Sequence, residues 1–85
     1  MPKSVFTDAY ASFLTVVIGA RRRAGVTQIE LGARLGKTQS FVSTYERGVR
    51  RIDIVEFYAI ARALDLVPSN LFQEVERLLP HRVEI

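Results

Sequence analysis

The sequence predicts an all-α fold: a compact five-helix domain with a helix-turn-helix at its second and third helices. Three observations carry this expectation. Apolar residues in the first helical stretch recur at i, i+3, i+4, i+7 and i+8, the pattern of a buried helical face. Two capping boxes, Thr27 with Glu30 and Asp53 with Glu56, mark helix starts further on. Between Thr27 and Gly48 only Lys37 and Thr38 separate the glycine that ends one short helix from the start of the next, which fits the tight turn of a helix-turn-helix.

Helix 1 is expected over 8–24, capped by Thr7 or Asp8 and ended before Gly25. Tyr10, Phe13, Leu14, Val17 and Ile18 form its inner stripe, and Arg21 continues it toward the core. Helix 2, over 28–35, opens on the Thr27–Glu30 box and places Leu31 and Leu35 on one face. Gly36 then supplies the left-handed conformation that closes a helix. Gly32 sits mid-helix, where glycine costs about 1 kcal/mol relative to alanine, so it reads as a packing residue that lets the next helix cross close by. Helix 3, over 39–47, is capped by Thr38 and closed by Gly48. Val42 should insert into the angle between the two helices, with Tyr45 extending the same buried stripe. Phe41 lies beside that stripe, facing either the core or a ligand.

Helix 4, over 54–64, has Ile54, Phe57, Ile60, Ala61 and Leu64 on its inner face, with Leu66 anchoring the exit. Helix 5, over 68–79, accepts Pro68 in its first turn, where a missing N–H costs nothing. Leu71, Val75 and Leu78 form its inner stripe, with Phe72 and Leu79 off it. Pro80 stops the helix, and 80–85 reads as a frayed tail.

Composition narrows the classes. Eighty-five residues, 48% hydrophobic and 25% charged, describe one ordinary globular domain over 1–85 with a modest core. No repeat, linker or second domain for ligand sensing is visible. The absence of cysteine excludes a disulfide framework and a thiolate metal site. The longest apolar run, FLTVVIGA, is too short to span a bilayer, and Met-Pro-Lys-Ser does not begin a cleavable leader; a cytoplasmic protein without membrane contact is expected. One histidine in the tail, with no nucleophile–base pair, metal cluster or phosphate-binding glycine loop, argues against an enzyme, a cofactor or a metal.

Charge is unevenly distributed. The net charge is +3, yet residues 21–51 hold eight basic side chains against two acidic ones, a balance of +6, and the remainder carries −3. A solvated basic face is the ordinary explanation of a charge run. Here the run coincides with the helix-turn-helix, as the electrostatic footprint of a nucleic-acid-binding unit would. The second helix of such a unit enters the DNA major groove with its N-terminal residues on base edges. Gln39 and Ser40 hold that position, and glutamine can bond adenine N6 and N7 together. Thr44, one turn along from Ser40, and Thr38 are further base-reading candidates. Lys37, Arg47, Arg50, Arg51 and Arg22 are candidates for phosphates, which set register without reading sequence. Ser43 touches a phosphate or keeps the helix packing tight. The bland alternative is an αα-hairpin with a glycine turn.

The pieces TQIELGARLG, TQSFVSTYERG and RRIDIVEFYAIARALDL resemble the Xre/Cro/phage-repressor family of helix-turn-helix regulators, over about Tyr10 to Leu79. The resemblance implies that family's phage-repressor-like five-helix domain and double-stranded DNA as partner. It also implies an ion pair between Arg21 and Glu46, and a pairing in which Gln28 reaches a phosphate while buttressing Gln39 on its base. Relatives bind near-palindromic operators as twofold dimers, so a homodimer is expected, with Phe72, Leu79 and Ile85 as contacts on or near helix 5; Phe72 and Leu79 equally suit the monomer core. The expected function is a sequence-specific transcriptional regulator, a repressor in the first instance. An antitoxin or restriction–modification controller of the same fold, with a toxin or other protein partner, is the alternative. A protein-interaction module without DNA binding would require acidic or apolar residues on helix 3, and they are not seen. One departure is Lys37, in a turn position often apolar in the family.

Overall fold

The computed structural model describes residues 7–85; the Met1–Ser4 stretch discussed above lies outside them. Five helices follow in order: α1 Asp8–Arg23, α2 Gln28–Arg34, α3 Gln39–Glu46, α4 Ile54–Ala63 and α5 Pro68–Leu78. Each stops one residue short of the sequence-based boundary because Ala24, Leu35, Arg47, Leu64 and Leu79 serve as C-caps. The caps explain the starts. Thr7 rather than Asp8 opens α1, its hydroxyl accepting from the Tyr10 N–H. Thr27 with Glu30 and Asp53 with Glu56 form complete, reciprocal capping boxes.

The core is one cluster in which Val17, Leu31, Val42, Tyr45, Ile60, Leu71 and Val75 are fully buried. α2 packs on α3, and α5 lies against both α1 and α4. Val16, Ala20 and Val26 also belong to the core, although the inner stripe read from the sequence omits them. Two expectations are corrected. Ile54 is 71% exposed, because at the first position of α4 it precedes the turn that meets the core. Leu78 is 52% exposed while Leu79 packs against the core. The stripe of α5 therefore runs Leu71, Val75, Leu79 at steps of four, and the extended backbone at Leu79 ends the helix there.

The α2–α3 turn shows why its glycines are needed. Gly36 adopts φ +67°, which lets the Lys37 N–H donate to the Gly32 carbonyl at 2.8 Å and closes α2. A Cβ on Gly32 would stand 2.6 Å from the Thr38 carbonyl oxygen, so the two helices cross at this point only because the side chain is missing. The α4–α5 connection uses the same left-handed geometry at Asp65, φ 59°, where the Leu66 N–H donates to the Ala61 carbonyl at 2.9 Å; no glycine announces it. Among the described residues, no helix is long and apolar enough to cross a membrane.

Candidate nucleic-acid interface

Thr38 ends the turn and starts α3: its hydroxyl oxygen accepts from the Phe41 N–H at 3.3 Å. Gln39 and Ser40 follow, both exposed at the N-terminal end of the helix. Thr44, half-buried one turn on, donates its hydroxyl proton to the Ser40 carbonyl at 2.6 Å. That bond consumes its donor and leaves the methyl and the oxygen lone pairs for any outside contact. Ser43 is half-buried, and its Oγ accepts from Arg47 Nε at 3.3 Å.

Beneath these residues a continuous polar chain runs from α1 to the tip of α3. Arg21 Nε and Nη2 donate to the two Glu46 carboxylate oxygens at 2.7 and 3.0 Å, and Arg21 Nη1 donates to the Val26 carbonyl at 2.9 Å. Their side chains are only 10% and 6% exposed, so this is a bidentate, largely desolvated pair. The bond to Glu46 holds the Arg21 pKa above its ordinary value, against the opposing effect of burial. Glu46 Oε1 also accepts from Gln28 Nε2 at 2.9 Å. Gln28 Oε1 in turn accepts from Gln39 Nε2 at 3.1 Å. The amide of Gln28 has one N–H left over for a phosphate, and that of Gln39 keeps one N–H and its oxygen for a base. Beside this chain the ring of Tyr45 is fully buried, and burial raises the pKa of its hydroxyl.

The cations differ in what already engages them. Arg50 Nη2 donates to Glu56 Oε2 at 2.7 Å, and its guanidinium lies 5.0 Å from the Phe41 ring centre. Lys37 approaches the same ring at 5.7 Å. Phe41 itself is half-buried and edge-on to Tyr45 at 5.6 Å, so it packs inward while presenting a face to two cations. Arg51 lies over the Tyr10 ring at 4.5 Å, and Arg22, Lys37, Arg47 and Arg51 are all exposed. Sequence reasoning missed that Glu56, besides capping α4, holds Arg50; a carboxylate six residues after an arginine in a non-helical loop leaves no periodic signal.

Phe72, Leu79 and Ile85 come together with Ile54 and Phe57 around an apolar groove of about 340 Å³, which Tyr10 and Arg51 also line. Phe72 stands at its rim, 45% exposed and edge-on to Phe57 at 6.4 Å.

A helix-turn-helix family model matches residues 19–72, well over half of the chain and all of α2 to α4. The chain belongs to the Xre-like helix-turn-helix family. Members of this Xre-like family are DNA-binding transcriptional regulators. A solved XRE-family-like protein from Pseudomonas syringae pv. tomato is 42% identical and superposes with a TM-score of 0.78, over 85% of this chain and 88% of its own. The clp gene regulator ClgR from C. glutamicum shares the fold with a TM-score of 0.74 at 17% identity, over 91% of this chain and all of its own. An HTH-type transcriptional regulator of Sinorhizobium fredii, y4dJ, is 43% identical over 44 residues; the match spans 52% of this chain and 57% of that protein.

Proposed function

We propose that this Xre-like chain is a sequence-specific repressor that binds a near-palindromic operator as a homodimer, with α3 of each copy in a major groove. The observation that carries the reading is the Gln39 amide, held by Gln28 at the exposed start of α3 with a donor and an acceptor still free. That is the complement adenine requires. Ser40, Thr38 and the Thr44 methyl extend the base-reading surface on the same helix end. Arg22, Lys37, Arg47 and Arg51, with the remaining N–H of Gln28, hold phosphates and set the register; Arg50 enters with its charge already shared with Glu56. Ser43 supports Arg47 rather than touching DNA.

One such unit reads few base pairs, and relatives of this architecture double their affinity determinants by twofold pairing. The apolar groove bordered by Phe72, Leu79 and Ile85 supports a second copy there. Selection of bound duplexes from a random pool tests the whole reading. A near-palindrome with half-sites about one helical turn apart is expected, with protein sedimenting as a dimer on it. Enrichment of no motif, or of a single unrepeated half-site, would overturn it.

A further inference from the structure

The chain of bonds from Arg21 to Gln39 contains a directional element. A carboxylate only accepts hydrogen bonds, whereas a glutamine amide has a donor end and an acceptor end. Arg21 can only donate and Glu46 only accept, and both Glu46 oxygens are tied to the buried Arg21 guanidinium. Gln28 must therefore turn its NH₂ toward Glu46, as it does at 2.9 Å. Its oxygen is then the end that faces Gln39, and Gln39 must answer with its own NH₂. The amide of Gln39 is thereby oriented by a group two hydrogen bonds away, with its remaining N–H nearer Gln28 and its oxygen on the far side.

We infer that Glu46 is a positioning residue that fixes the donor–acceptor order of the Gln39 amide and so selects which strand of the operator carries the adenine. The inference rests on the proposed DNA-binding reading. Along the major-groove edge adenine presents N7 as acceptor and N6 as donor, and reversing A·T to T·A reverses that order. A Gln39 amide free to rotate end over end could turn its NH₂ to the O4 of the thymine that replaces the adenine. One locked by Glu46 through Gln28 cannot: the reversed pair sets its oxygen against thymine O4, acceptor against acceptor, and its N–H against the C5-methyl. The Arg21–Glu46 pair thus acts on specificity as well as on the junction of α1 with α3.

The test compares binding of two labelled duplexes: the half-sites selected by the wild-type protein, and the same sites with the Gln39-contacted A·T pair reversed to T·A. The wild-type chain is expected to discriminate by roughly tenfold, within what a bidentate pair contributes. Glu46→Gln, which can donate as well as accept, should collapse that ratio to about twofold or less. Because Glu46→Gln weakens a buried ion pair and can impair folding, Gln28→Met provides the second variant: it keeps the length of a half-buried side chain and removes the relay together with the Gln28 phosphate N–H, whose loss weakens both duplexes alike and leaves the ratio to report the relay. Its melting should stay near that of the wild type, its discrimination should collapse similarly, and in a Gln39→Ala background it should have no further effect on the ratio. Retention of the wild-type ratio by folded Gln28→Met, or equal loss on both duplexes, would overturn the relay while leaving DNA reading intact. A wild-type chain that selects no motif would remove the DNA reading and the relay with it.

Discussion

Arg50 and Glu56 are joined by a 2.7 Å ion pair in which one carboxylate oxygen holds the guanidinium and the other accepts from the Asp53 N–H, closing the N-terminus of α4. The loop between α3 and α4 is thus tied to the helix that follows it, and an arginine beside the candidate DNA surface carries less free charge than its residue type suggests. Glu56→Gln keeps the cap, since glutamine suits that position, but releases the full charge of Arg50. The expected result is tighter DNA binding with a salt dependence steeper by up to about one unit per half-site. Arg50→Ala should weaken binding with a change in slope well below one unit, and the double variant should return close to wild type. A full-unit flattening in Arg50→Ala, with no effect of Glu56→Gln, would place Arg50 directly on a phosphate. Titrations at several salt concentrations distinguish these outcomes.

Gln39→Ala should cost about 1–3 kcal/mol on the preferred operator and blur one or two base positions without altering the salt slope. Fluorescence anisotropy against the selected site and single-base variants measures both. Uniform loss across all sequences would show that Gln39 holds the backbone of DNA and reads nothing.

Gly32→Ala isolates the helix crossing. An added Cβ would meet the Thr38 backbone, carbonyl oxygen at 2.6 Å and carbonyl carbon at 2.7 Å, and neither atom can rotate away. Alanine's better helix propensity, about 1 kcal/mol, should be outweighed by overpacking of roughly 1–3 kcal/mol, with α3 displaced. Chemical denaturation should give net destabilisation, and DNA affinity should fall more than stability alone explains. An unchanged or raised midpoint would mean that α2 and α3 have room to separate.

Acid should loosen the helix starts. The Glu30 carboxyl is held below its ordinary pKa by the Thr27 backbone and side chain, and that of Glu56 by Arg50 and then by the Asp53 backbone. A depressed folded-state value means the carboxylates contribute their stability above the ordinary glutamate value, about 4.3, and lose it as pH falls through the folded values. Melting temperature should therefore hold near neutrality and drop below about pH 4.5. Glu30→Gln combined with Glu56→Gln keeps both capping hydrogen bonds but removes the carboxylate charges, so it should lower the plateau only slightly and make the acid drop shallower. An unchanged acid profile would assign the transition to other carboxylates.

Helix number, order and starts were legible in the sequence because they depend on local chemistry. Thr27 with Glu30, Asp53 with Glu56, Pro68, and the glycines at 25, 36 and 48 act within a turn of their own backbone, so their meaning travels with the residues. Gln28 and Glu46 were expected in their places from family resemblance alone; periodicity says nothing of partners eighteen residues apart. Ile54 and Leu78 were misplaced for a related reason: a helical stripe is wide enough to admit a residue at either margin, and the neighbouring helix determines which margin it covers. By itself, then, the sequence determined an all-α chain with a helix-turn-helix, a basic middle and a polar-tipped third helix. Only the tertiary structure decided that Glu56 engages Arg50, that Leu79 rather than Leu78 turns inward, and that Glu46 joins Arg21 to the two glutamines. Those are contacts between elements, and their geometry exists only once the core has fixed how the helices cross.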